Sequence, residues 1–231
     1  MIVGTGLLAR SFMSRFATRS DTLIFASGVS NSHETSRLQF DREFEMLAAM
    51  RRDHTGRLVY FGSCSVTDDD RRHTPYARHK LAMEEFVVSD EGGLVVRLPQ
   101  VVGRTENPHT LTNFLHDRIE SGESFSIWAN AERNLIDVDD VAAITEVIIA
   151  GMEPSESRVV TIASERSISM PALMTTFERV LGKKANYSLE EKGGRLHIDA
   201  RFAQQIARQL GIDLGEGYVE RLLRKYYGRP N

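Results

Sequence analysis

Through the first 150 residues, short runs rich in β-branched and aromatic side chains alternate with stretches of helical periodicity. This alternation admits few folds. A helix after each strand carries the chain back to the starting end of the sheet, so the strands lie parallel and helices cover both faces. Strands are expected over residues 1–5, 22–26, 57–62 and 94–99. Helices are expected over 7–16, over 40–52 with Phe44, Leu47 and Ala48 at helical spacing, and over 75–88. Beyond Pro99 the pattern loosens into a loop over 103–113, a helix over 111–121 stopped by Gly122, and a short strand over 125–128. It sharpens again at Asp140, which can cap an apolar helix over 141–150, and at a last core strand over 159–163. Helices over 171–181, 199–210 and 218–227 follow, each ended by glycine.

Composition narrows the class of function. The chain has 231 residues, 26% of them charged, with 29 basic against 32 acidic side chains and a net charge of −3. No lysine or arginine block supplies the footprint of a nucleic-acid or anionic-membrane binder, so neither is expected as a partner. The single cysteine, Cys64, rules out an internal disulfide and a cysteine zinc cage. The amino terminus reaches a glycine loop at once, without the apolar stretch of a signal peptide, and the longest apolar run is far short of the ~20 residues that span a bilayer. A cytoplasmic protein is expected.

Three short segments carry chemistry. Gly4-Thr5-Gly6-Leu7-Leu8-Ala9 is a G-x-G-x-x-A loop between strand and helix, where missing side chains let the backbone approach a pyrophosphate and the helix N-terminus favours its charge. A tight packing turn is the plainer alternative. Tyr76 and Lys80 lie one turn apart on the helix over 75–88, whereas six tyrosines and five lysines placed at random yield about 0.1 such pairs. A phenol with its ordinary pKa near 10 is a poor acid-base group at neutral pH until positive charge lowers it, which Lys80 can do. Thirteen residues earlier, Ser63 ends a strand and is followed by Ser65, at the sheet edge where open α/β folds bind ligands. Turn capping is the commoner use of such serines.

These segments, in this order, resemble the NAD-dependent epimerase/dehydratase family of extended short-chain dehydrogenases/reductases. The likeness extends through Leu23-Ile24-Phe25-Ala26-Ser27-Gly28, through Arg97-Leu98-Pro99-Gln100-Val101-Val102-Gly103, similar to the family's R-x-x-N-V-Y-G stretch, and through Arg133 to Ala142, similar to its R-x-x-I-x-V-x-D-V-A stretch. The resemblance implies a Rossmann-like parallel sheet flanked by helices, with a cofactor core over 1–105 and a small α+β substrate lobe over 106–231, of which 133–163 returns to the core. It implies NAD or NADP held by Gly4, Gly6, Leu7, Leu8, Ala26, Ser27, Gly28 and Pro99, with Lys80 on the ribose. Tyr76 would be the acid-base group, and Ser63 would bond the reacting oxygen. Ser65, Gln100 and Arg133 would meet a nucleotide-linked sugar, although an ion pair of Arg133 with Glu132 or Asp137 is equally open. A homodimer through the helices over 40–52 and 75–88 is implied too.

Departures are as informative. Val3 and Ala9 stand where family glycines usually fall, Gln100 replaces an asparagine, and no acidic residue ends the second strand to hold an adenosine ribose. The strand over 22–26 resembles the family's fourth, so the adenosine-side strands are shortened or missing. A right-handed crossover then requires either that the first helix change faces or that 22–26 occupy the second position. A non-catalytic protein with a degenerate dinucleotide site is the rival reading. Asp68-Asp69-Asp70 beside Arg71 and Arg72 is read as solvated, no metal is expected, and His109 is read as an exposed loop residue.

Overall fold

The computed structural model describes residues 1–228, so the last three residues of the 106–231 lobe lie outside it. The chain begins with β1 (Ile2–Val3), α1 (Leu7–Phe16), β2 (Thr22–Phe25), α2 (Arg37–Asp53), β3 (Arg57–Ser63), α3 (Pro75–Val88) and β4 (Gly93–Leu98). Then come β5 (Gln100–Val102), α4 (Leu111–Ser121), β6 (Phe125–Trp128), β7 (Glu132–Arg133), β8 (Leu135–Asp137), α5 (Val138–Ala150) and β9 (Arg158–Thr161). The last elements are β10 (Ile168–Ser169), α6 (Met170–Leu181), β11 (Tyr187–Glu190), α7 (Arg201–Gln209) and α8 (Tyr218–Tyr227).

The central sheet is parallel, in the order β1-β2-β3-β4-β9. Its strands are buried on both faces, which is why they read as continuous apolar runs. Successive side chains point to opposite faces. Ile24, Val59, Phe61, Leu94 and Val96 meet Phe12 and Phe16 of α1 and the apolar side of α5. Leu23, Phe25, Leu58, Tyr60 and Val95 meet Leu47 of α2 and Met83 and Val87 of α3. Phe12 lies 5.3 Å from Phe61, ring centre to ring centre, and burying Phe12 and Phe16 completely contributes roughly 2–3 kcal/mol each.

This arrangement breaks the handedness rule once. β1, β2, β3 and β4 advance in one direction across the sheet, yet α1 packs on the face opposite α2 and α3. Crossovers that advance the same way through opposite faces have opposite hands. With α2 and α3 in the usual right hand, β1-α1-β2 is left-handed, a rare connection. Neither expected escape occurs: β2 lies between β1 and β3, and α1 keeps its own face. Phe12 and Phe16 fix it there. At this edge the Met1 nitrogen donates to the Thr22 carbonyl at 2.6 Å and to that of Arg19 at 2.8 Å. Among the described residues no strand flanks β1 on its outer side.

Two expectations are corrected. α5 begins at Val138, three residues before the predicted start, because the Asp137 side chain caps it by accepting from the Asp139 amide at 2.9 Å. Asp140 is engaged elsewhere, accepting from the Tyr218 hydroxyl at 2.7 Å. On α2 the buried stripe runs through Glu43 and Leu47, whereas Phe44 is exposed and stacks edge-on against Phe86. The short strands β5, β7, β8, β10 and β11 lack enough residues to show a period and are absent from the sequence reading. β9 lies beside β4 in the central sheet, and β8 pairs with β5 in a separate two-stranded sheet.

Candidate active site

The carboxyl ends of β1 to β4 gather most of the candidate residues. Gly4 has φ +121°, and a Cβ there would overlap the Ala26 carbonyl. Only glycine fits. Gly6 caps α1 without a side-chain bond, a Cβ on it would meet nothing within 4 Å, and no acidic residue occupies the first turn. The first amides of α1 therefore have no side-chain cap, with the positive end of the helix dipole behind them, which suits a pyrophosphate. Leu7 packs against Gly103, where a Cβ would come 2.6 Å from Leu7 Cδ1. Leu8 packs partly buried on the core, and Ala9 is wholly buried, so a small residue is required there.

Ser63 ends β3 and caps a short 3-10 turn over Cys64–Val66. Its hydroxyl lies 2.9 Å from that of Ser65 and accepts from the Ser65 amide at 3.2 Å. Thr74 caps α3 by accepting from the Ala77 amide at 3.2 Å, and Pro75 supplies a preset first turn. That start sets the buried Tyr76 beside Ser63. Burial, with the Glu43 carboxylate adding to it, pushes the Tyr76 phenol up to about 12 against the opposing effect of the Ser63 hydroxyl.

Lys80, one turn further, is also buried. It donates to Glu43 Oε1 at 3.0 Å and to the Tyr60 hydroxyl at 2.9 Å, while its Nζ stands 5.9 Å from the centre of the Tyr76 ring. Burial draws its pKa down and Glu43 opposes this. The cation that was expected to lower the phenol is thus committed to a carboxylate in this arrangement. Gly28 lies directly on that ion pair: a Cβ would come 2.6 Å from Glu43 Oε1 and 2.7 Å from Lys80 Nζ. Another turn along α3, Glu84 accepts from Arg97 Nε at 2.9 Å and Nη2 at 2.7 Å, and its second oxygen faces Gly62 without a partner.

Glu43 and Glu84 escaped the sequence reading. The available signal was a glutamate on each helix's inward stripe, four residues before Leu47 and four after Lys80.

Gln100 lies beside the strand that follows Arg133, its backbone amide donating to the carbonyl of Asn134 at 3.0 Å. Pro99, just before Gln100, links β4 to β5. The half-buried Arg133 guanidinium donates to the Glu132 carbonyl at 2.7 Å, and among the described residues it forms no ion pair with Glu132 or Asp137. Burial and the neighbouring Arg71 lower its pKa to about 10 against the opposing field of Asp68. Asp68 reaches Arg71 at 3.6 Å, Asp69 reaches Arg72 at 3.5 Å, and His109 is exposed. A cavity of about 720 Å³, lined by Arg51, Arg57 and Gly92, lies at the opposite end of the sheet and away from this chemistry.

No match to this chain is found among curated proteins. Solved structures with the same fold include MoeE5 in complex with UDP-glucuronic acid and NAD, at 20% identity and TM-score 0.69 over 87% of this chain and 76% of that one. RMD from Pseudomonas aeruginosa complexed with NADPH matches at 15% identity and TM-score 0.69 over 96% of each chain. UDP-glucose 4-epimerase from Bifidobacterium longum in complex with NAD+ and UDP matches at 14% and TM-score 0.69, over 93% and 77%. The profile of the NAD dependent epimerase/dehydratase family matches residues 6–163, more than half of the chain. The chain belongs to that family.

Proposed function

We propose that the chain binds NAD or NADP and acts on the hydroxyl or ketone of a nucleotide-linked sugar. The observation that carries this reading is the placement of Ser63 at the end of β3 and of Tyr76 at the start of α3, beside a glycine loop whose helix has no side-chain cap. The glycine loop suits the dinucleotide's pyrophosphate, and the backbone from Ala26 to Gly28 would flank its nicotinamide half. The bound dinucleotide would supply hydride exchange with a substrate carbon. Tyr76 would move the proton on the adjoining oxygen, Ser63 would hold that oxygen, and Lys80 would bond the ribose. Arg133 and Gln100 would take a substrate phosphate, a role suited to a planar guanidinium free of carboxylate partners. Reduction, epimerisation and dehydration share this proton-and-hydride set. Incubation with NAD or NADP and a panel of nucleotide sugars, followed by nicotinamide absorbance and product chromatography, tests the reading. Turnover of at least one sugar is expected, and binding without turnover contradicts it.

The second reading is a non-catalytic, ligand-sensing protein. It is favoured by the sheet's ending at β1, where adenosine contacts would be expected, and by the raised phenol of Tyr76.

A further inference from the structure

Glu43 sits in the middle of α2 with no exposed surface. A carboxylate there costs several kcal/mol in lost hydration unless donors replace the water. Four donors from three parts of the chain converge on it. Oε2 accepts from the Val29 amide at 2.6 Å and from His79 Nε2 at 3.0 Å, and Oε1 accepts from the Tyr60 hydroxyl at 2.7 Å and Lys80 Nζ at 3.0 Å. The loop after β2, strand β3 and helix α3 are thereby tied to α2 through one side chain.

Lys80 has three N–H groups. Two are used, by Glu43 and Tyr60, and Gly28, having no side chain, keeps clear the space against Nζ that a Cβ would fill. Glu43 also holds Val29, the next residue of that same loop.

We propose that Glu43 is the positioning residue of this site, fixing Lys80 as a cation with its remaining N–H beside the Ala26–Gly28 backbone and fixing that backbone to the catalytic helix. The assignment rests on the proposed function for its chemical meaning, because the ribose of a dinucleotide is what would meet Lys80 there. Glu43 itself touches neither cofactor nor substrate.

The charge balance supports the role. The groups facing Lys80 are Glu43 from α2, Tyr60 from β3, and Tyr76 and Glu84 from α3, with His79 acting through Glu43. Glu84 is already engaged by Arg97, so removing the Glu43 charge leaves burial almost unopposed. Lys80 should then lose its proton at a lower pH than in the parent. Donors converging on the Glu43 carboxyl hold it at about 2 despite its burial, so it stays anionic at neutral pH.

The chain has only five lysines, which makes a direct measurement practical. Carbon-13 labelling of lysine side chains gives five Cε resonances, with Lys80 assigned through Lys80→Arg. In Glu43→Gln the Lys80 titration should fall by at least one pH unit while the other four stay in place. NAD or NADP affinity, read by calorimetry, should fall at least tenfold, and Glu43→Asp should restore part of both. If Glu43→Gln does not fold, Glu43→Asp alone decides: both readouts should move in the same directions, less far. A Lys80 titration unchanged from the parent in a folded variant overturns the proposal, as does unchanged dinucleotide affinity alongside a shifted titration. If the parent binds no dinucleotide, the proposed function fails by itself, and the titration still shows whether Glu43 sets the charge of Lys80.

Discussion

Lys80 and Tyr76 share one face of α3, and the ammonium, 5.9 Å from the centre of the tyrosine ring, gives its hydrogen bonds to Glu43 and Tyr60 and not to the phenol. The separation gives the two residues different expected phenotypes. Lys80→Ala leaves the Glu43 carboxylate buried without its cation, which costs about 3–5 kcal/mol. Urea unfolding should show a loss of that order, together with weaker dinucleotide binding and slower turnover. The double variant Glu43→Gln/Lys80→Met should recover much of the stability and none of the activity, and a fully stable Lys80→Ala would contradict this account of the pair.

Arg133 has donors to spare because its one bond is to a backbone carbonyl, and Arg71 adds positive field. Arg133→Ala should raise the KM or Kd for a nucleotide sugar at least about tenfold, since a hydrogen bond to a charged group is worth about 1.5–3 kcal/mol. Dinucleotide affinity should not change. Equal losses for both ligands in parallel titrations would show that Arg133 belongs to the cofactor side.

Dinucleotide affinity should itself be modest. The glycine loop offers the first turn of α1, but among the described residues nothing beyond β1 extends the sheet toward an adenosine. Calorimetry with NAD and NADP should give micromolar dissociation constants at best, about −8 kcal/mol. Nanomolar binding would mean that another segment holds the adenosine.

α2 and α3 lie together on one face of the sheet, and Leu38, Phe44 and Leu81 remain exposed there. Two copies joined through this face would cover them. Sedimentation at micromolar concentration should report a dimer, and Phe44→Asp with Leu81→Asp should shift it to monomer. A monomeric parent would remove the idea.

The elements legible in the sequence are those long enough to show a period or bounded by a physical stop. α1, α3, α4 and α8 fall at the predicted residues because Gly6, Thr74, Thr110 and Gly228 mark their ends. That β1 to β4 are parallel strands is legible too, whereas the place of β2 in the sheet is left open by the alternation. The face chosen by α1 was not, because strand-helix alternation carries no information about which side of the sheet a helix takes when the handedness rule is broken. At the candidate site, the i,i+4 spacing of Tyr76 and Lys80 and the strand-end position of Ser63 are visible in the sequence. Glu43 is not, because its partners come from Val29, Tyr60, His79 and Lys80, contacts that only the folded sheet brings together.

The central claim is that Tyr76 carries the proton. Tyr76→Phe removes the phenolic oxygen and keeps the buried ring, so folding and dinucleotide affinity should match the parent. General acid-base catalysis is typically worth 10²–10⁴-fold, and kcat on the sugar that the parent turns over should fall at least about a hundredfold. A Tyr76→Phe protein that turns over that sugar at the parental rate would contradict the mechanism proposed for this chain.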